Sequence, residues 1–101
     1  MIARLWHGWT SPGNADAYER LVRDTILPGI HRVKGYRGAW LLRRTAGAEM
    51  EFVTLTLWES AAAVEEFAGA GHATAVVPEE ARRLLARFDQ TSVHYDGTWV
   101  E

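Results

Sequence analysis

The chain has 101 residues, 48% of them hydrophobic and 24% charged, and its 11 basic and 13 acidic side chains leave a formal net charge of -2. That length suits a single domain over residues 1–101, with 97–101 as a short tail, and the composition marks neither disorder nor a surface that tracks nucleic-acid phosphates. The lack of cysteine removes disulfides, thiolate nucleophiles and sulfur-ligated zinc together, and no apolar run approaches the ~20 residues that span a bilayer, so a cytoplasmic protein with no nucleic-acid or membrane partner is expected.

The opening MIARLWHGW carries an arginine inside its apolar run and lacks the small-residue cleavage site of a signal peptide. Ile2 to Thr10 reads as a first strand, with Ile2, Arg4, Trp6 and Gly8 on one face and Ala3, Leu5, His7 and Trp9 on the other. Ser11-Pro12-Gly13-Asn14 is a turn that hands over to a helix, where Tyr18, Leu21, Val22, Thr25 and Ile26 form one apolar stripe. Pro28-Gly29 should end or kink that helix, because proline has no N–H for the interior hydrogen bond.

A hairpin follows, predicted from Tyr36 to Thr45 and from Glu51 to Trp58 around an Ala46-Gly47-Ala48 loop. Trp40 and Leu42 oppose Ala39 and Leu41 in its first arm; Val53, Leu55 and Leu57 oppose Phe52, Thr54, Thr56 and Trp58 in its second. Both faces of the hairpin are therefore substantially apolar. Ser60 suits the N-cap of a helix from Ala61 to Ala68, Gly69-Ala70-Gly71 breaks it, and Pro78 opens a further helix to Arg87 with Ala81, Leu84, Leu85 and Phe88 inward. Gln90 to Tyr95 alternates and reads as the last strand.

This order is that of an α+β, ferredoxin-like βαββαβ fold: a four-stranded antiparallel sheet with its helices on one face. The second apolar face predicts a homodimer in which two sheets cover each other, with Trp99 and Val100 of the tail crossing to the partner.

The strand IARLWHG, the helix ending LPGI, the GYRG that opens the hairpin, and FVTLTLWES followed by AVEEFA resemble the antibiotic biosynthesis monooxygenase family of dimeric α+β barrels, over about residues 2–96. The resemblance implies cofactor-free oxidation of aromatic polyketide intermediates, or haem degradation, both of which occur in the family. Haem-degrading members use an asparagine, a tryptophan and a histidine; matching FVTLTLWES places His7, Phe67 and Val77 at those positions. All three depart from the pattern. Without an imidazole at Val77, haem ligation would need a shifted residue such as His72.

A cofactor-free oxygenase needs an apolar pocket for a flat substrate and a group that takes its proton. His7 and His94 are the candidate bases, since imidazole titrates near neutrality. Because the last strand should pair with the first, either His94 or Tyr95 shares the face of His7, according to register. Trp58, Phe67, His72, Tyr95 and Trp9 are the candidate ligand contacts. The four histidines, at 7, 31, 72 and 94, have no metal-site spacing, and no phosphate loop or Gly-x-Ser-x-Gly is present. The expectation is a homodimeric monooxygenase that takes a small aromatic substrate and needs no cofactor. A haem-binding or haem-degrading protein is one alternative. A non-catalytic ligand-binding or assembly module, its pocket filled by Trp6, Trp9, Trp40 and Trp58, is the other.

Overall fold

The computed structural model describes residues 1–69 and 73–101. β1 (Ile2–Thr10) leads through a short turn into α1 (Ala15–Leu21), a π-helical turn (Val22–Ile26) and α2 (Leu27–Ile30). The hairpin is β2 (Tyr36–Ala46) and β3 (Glu49–Trp58); α3 (Ala61–Ala68), α4 (Glu79–Leu84), β4 (Leu85–Phe88) and β5 (Val93–Asp96) complete the chain. The sheet is antiparallel in the order β2-β3-β1-β4, and β5 also pairs with β1.

β1 is the central strand. Its whole length pairs with β3, from Ile2↔Trp58 to Thr10↔Met50. On its other side β5 covers Ile2 to Leu5 and β4 covers Gly8 to Thr10, so two short strands share one edge position of the ferredoxin-like plan. Among the described residues, no helix is long and apolar enough to cross a membrane.

Period-two alternation decides which side chains meet the helices. Arg4, Gly8, Thr10, Phe52, Thr56 and Trp58 are buried on the helix-covered face. There Tyr18 of α1 packs edge-on against Phe52, with ring centroids 4.8 Å apart, and Trp58 is enclosed by Tyr36, Phe67, Ala63 and Val64. The opposite face carries Ala3, Leu5, His7, Trp9, Val53, Leu55 and Leu57. Trp40, Leu42, Val93 and Tyr95 lie exposed on it.

Several sequence expectations change in detail. The helix expected over Pro78 to Arg87 ends at Leu84, where Leu85 turns to an extended backbone (φ −83°, ψ 134°) and opens β4. Ala81, Leu84, Leu85 and Phe88 do recur at helical spacing, yet the end of β1 needs an edge partner, and pairing Leu85 with Thr10 and Phe88 with Gly8 satisfies it. The final strand starts at Val93 rather than Gln90, which instead accepts a backbone hydrogen bond from Ala75 at 3.0 Å.

Pro28 does not end the helical segment. The π-helical turn precedes it, and the N–H of Leu27 reaches back five residues to the Val22 carbonyl, a widened ladder that absorbs the proline's missing donor. The hairpin loop is Gly47-Ala48 alone, one residue shorter than expected; Gly47 has φ of 64°, as the first residue of a type II′ turn requires.

Candidate functional site

Between the sheet and the helices lies a cavity of about 320 Å³, at the lower end of the range for small-molecule pockets. Its sheet side is formed by Arg4, Trp6, Thr54 and Thr56, joined by Ser92. Tyr18, Val22, Thr25, Ile26, Leu27 and Ile30 line a second side, so the π-helical turn contributes three of the wall residues. Phe67, Val76, Val77, Pro78, Glu80 and Ala81 close the remainder. Apolar groups dominate, and the polar ones concentrate on the strands.

Arg4 is the chemically distinctive member. It is 5% exposed, and burial pushes its guanidinium pKa below the usual value. Nη1 lies 2.9 Å from His94 Nε2. A guanidinium carries only donors, so His94 accepts through Nε2 and holds its proton on Nδ1. Nη2 donates to the Thr74 carbonyl at 3.1 Å, and the guanidinium stands 5.7 Å from the centroid of the Phe67 ring. The segment that carries Thr74 is itself fixed: Thr74 forms an antiparallel bridge with Thr91, and Ser92 donates to the Ala73 carbonyl at 2.6 Å.

Tyr18 faces the cavity from α1, 2% exposed. Burial raises its phenol well above the ordinary tyrosine value, against a smaller opposing effect from the hydrogen bond with Thr54. It therefore enters this site as a proton-bearing hydroxyl. Thr56 donates weakly to the Arg4 carbonyl at 3.5 Å and accepts from Trp58 Nε1 at 2.8 Å.

The structure divides the sequence-predicted residues between the two faces of the sheet. Phe67 borders the cavity. Trp58 is fully buried and stacks on Phe67 with centroids 5.2 Å apart, a second layer behind the cavity lining. His94 pairs with Arg4 in the β1–β5 register and so shares the helix-covered face, whereas Tyr95 pairs with Ala3 and lies exposed on the other.

His7 and Trp9 are also on that outer face, stacked with centroids 5.8 Å apart. His7 Nδ1 lies 2.8 Å from Asp89 Oδ2, and the same carboxylate accepts from the His7 backbone N–H at 3.2 Å. Arg87 lies over Trp9, 3.9 Å from its centroid. His72 lies outside the described residues.

Arg4, Tyr18, Thr54 and Asp89 were not singled out from sequence. Strand parity carries a signal for Arg4: a charge at the position between Ile2 and Trp6, on the face that helices must cover, has to be either a fault or a site. Nothing in the pattern around Asp89 announces its partners His7 and Trp6, which lie 82 and 83 residues away.

The described lining offers no imidazole or thiolate to an iron atom, Val77 stands in the wall, and Tyr18 keeps its proton. These groups do not fit axial ligation of haem. Among the described residues there is also no group of three or more His, Cys, Asp or Glu able to hold a metal.

A family model for antibiotic biosynthesis monooxygenase matches residues 1–79. Among solved structures, the Mycobacterium tuberculosis protein Rv0793 is similar with a TM-score of 0.64 at 19% identity, covering 98% of this chain and 96% of that one. A monooxygenase from the ActVA-Orf6 gene of Streptomyces coelicolor, in complex with nanaomycin D, gives 0.63 at 15% identity, with 99% and 89% covered. The haem-degrader MhuD of M. tuberculosis, with two haems in its active site, gives 0.62 at 19%, with 100% and 99% covered. At these identities the likeness is one of fold. No curated protein matches significantly.

Proposed function

The chain belongs to the antibiotic biosynthesis monooxygenase family, and from that premise we propose that it is a homodimer that oxygenates an aromatic or polycyclic small molecule without a cofactor. The cavity carries this reading: apolar walls suited to a flat ring system, with Arg4, Thr54 and Thr56 on the sheet side and the Tyr18 hydroxyl on the helix side. A fold relative solved with nanaomycin D bound supports an organic ligand of this kind.

In the proposed reaction an activated C–H loses its proton to a base, leaving an anion delocalised onto a ring oxygen. That anion passes one electron to dioxygen, the two radicals combine, and loss of water from the resulting peroxide leaves a carbonyl. One oxygen atom ends in the product and the other in water. Both electrons come from the substrate, so the chemistry needs no external reductant.

We assign the base to His94, which shares the helix-covered face; Nε2 is its proton-accepting atom and takes the substrate proton on parting from Arg4 Nη1. His7 is the competing assignment, from the other face. Oxygen uptake with anthrone tests the function, with anthraquinone as product. His94→Ala should lower kcat by ~10²-fold or more, with His7→Ala close to wild type; the reverse ranking moves the assignment to His7. A folded protein that binds anthraquinone yet consumes no oxygen with anthrone is a ligand-binding module and not an oxygenase.

A further inference from the structure

The geometry points to an oxyanion subsite at Arg4: the cavity takes an enolisable or phenolic ring compound with its ionised oxygen against the Arg4 guanidinium. This rests on the aromatic-ligand reading above and narrows the substrate class within it. Neutral aromatic hydrocarbons and fully methylated ethers would be excluded as good ligands.

Arg4 lines the cavity although it is almost wholly buried. A fixed positive charge in apolar surroundings is poorly screened, so it acts on whatever occupies the cavity with more force than a surface arginine would. The guanidinium is also held in place: His94 Nε2 fixes Nη1, the Thr74 carbonyl fixes Nη2, and the Phe67 ring lies alongside. An apolar cavity by itself disfavours an ionised ligand, so a rigid cation at its wall reverses the preference the other residues would impose. Among the described lining residues the other charged group is Glu80, on the exposed side of α4. Solvent screens its opposing charge.

The anchors of Arg4 come from β5 and from the segment bridged to Thr91, so the subsite is assembled only when the C-terminal part of the chain is in place. Thr54 and Thr56 line the same cavity with their hydroxyls engaged inside the protein, Thr54 with Tyr18 and Thr56 with the Arg4 carbonyl and the Trp58 indole, so the charge contact falls to Arg4.

The test uses alizarin, a dihydroxyanthraquinone whose phenol and phenolate differ in colour, and its dimethyl ether. On binding, the phenolic proton leaves to solvent and the ring oxygen keeps the charge. Titrating the bound dye against pH should show ionisation at least about one unit below that of the free dye, a tenfold preference for the anion. Arg4→Met should remove the shift and Arg4→Lys retain part of it, with folding checked by circular dichroism. The wild-type comparison stands even where a variant misfolds: alizarin should bind at least about tenfold more tightly than the ether above the free dye's ionisation pH, the preference vanishing only below the ionisation pH of the bound dye.

An unchanged or raised ionisation in the bound dye, equal affinity for the ether throughout, or no binding of either compound overturns the subsite. Oxygen uptake with anthrone separates the two readings. Uptake without an ionisation shift removes the subsite alone, and a shift without uptake removes the oxygenase alone.

Discussion

Replacing Trp58 by phenylalanine separates a ligand contact from a support beneath the ligand. Trp58 is 0% exposed and absent from the cavity lining, with its ring 5.2 Å from Phe67 and 5.3 Å from Tyr36 and its N–H bonded to Thr56 at 2.8 Å. Losing that hydrogen bond costs about 1 kcal/mol net. The ring atoms removed take roughly 40 Å² of buried apolar area with them, about another 1 kcal/mol, and looser pairing with Phe67 and Tyr36 adds about 0.5 kcal/mol. Urea unfolding at fixed protein concentration should therefore show a loss of about 2 to 3 kcal/mol, and heating a fall in Tm of about 10–20 °C. Alizarin affinity should stay within about threefold of wild type, since RT ln 3 is only ~0.6 kcal/mol. Combined with Thr56→Val, the double-mutant cycle should return a coupling of about 1 kcal/mol. A stability loss under about 0.5 kcal/mol together with a tenfold loss of affinity would refute the reasoning and return Trp58 to the ligand site.

Trp40 is 65% exposed on the outer sheet face; if two sheets cover each other there, Trp40→Asp should convert a dimer to a monomer in analytical ultracentrifugation, and a monomeric wild type would defeat the proposal. Burial raises the phenols of Tyr18 and Tyr36 above the ordinary 10.0, so the folded state holds these protons where the unfolded state releases them. Their contribution is intact below about pH 10 and falls above it, for the deeply buried Tyr18 by about 1.4 kcal/mol per pH unit and for Tyr36 in the same direction; Tyr18→Phe should flatten the alkaline limb of a stability–pH curve. Gly35 has φ of 91°, and a Cβ there would stand 2.6 Å from that of Ala63, so Gly35→Ala should cost about 3 kcal/mol in chemical denaturation. Gly38→Ala, strained in φ but with open space around it, should cost measurably less.

Local signals carried much of the fold. The hairpin arms, the apolar stripe of the first helix and the limits of α3 follow from side-chain pattern and from Ser60, whose Oγ accepts from the Ala63 N–H at 3.3 Å. β4 was illegible because Leu85 and Phe88 satisfy a helical stripe and a strand equally well, and only the unpaired edge of β1 chooses between them. The site was harder to read. Parity alone puts His7 with Leu5 and Trp9, but which face becomes the cavity depends on where the helices pack, a long-range outcome. His94 and Tyr95 are neighbours in sequence and opposites in space, and the Ala3↔Tyr95 register is what separates them.

The gap between β4 and β5 is more than a missing stretch of strand. At Asp89 the backbone carbonyl accepts from the Trp6 indole at 2.7 Å on the cavity side, while the carboxylate holds the His7 imidazole on the outer side. One residue thus clasps both surfaces of the sheet at a point where the edge ladder is interrupted. A subunit pressed onto the outer surface would bear on His7, and through Asp89 on the Trp6 ring that walls the cavity. Ligand affinity should then vary with protein concentration across the assembly range, and Asp89→Ala should abolish that dependence.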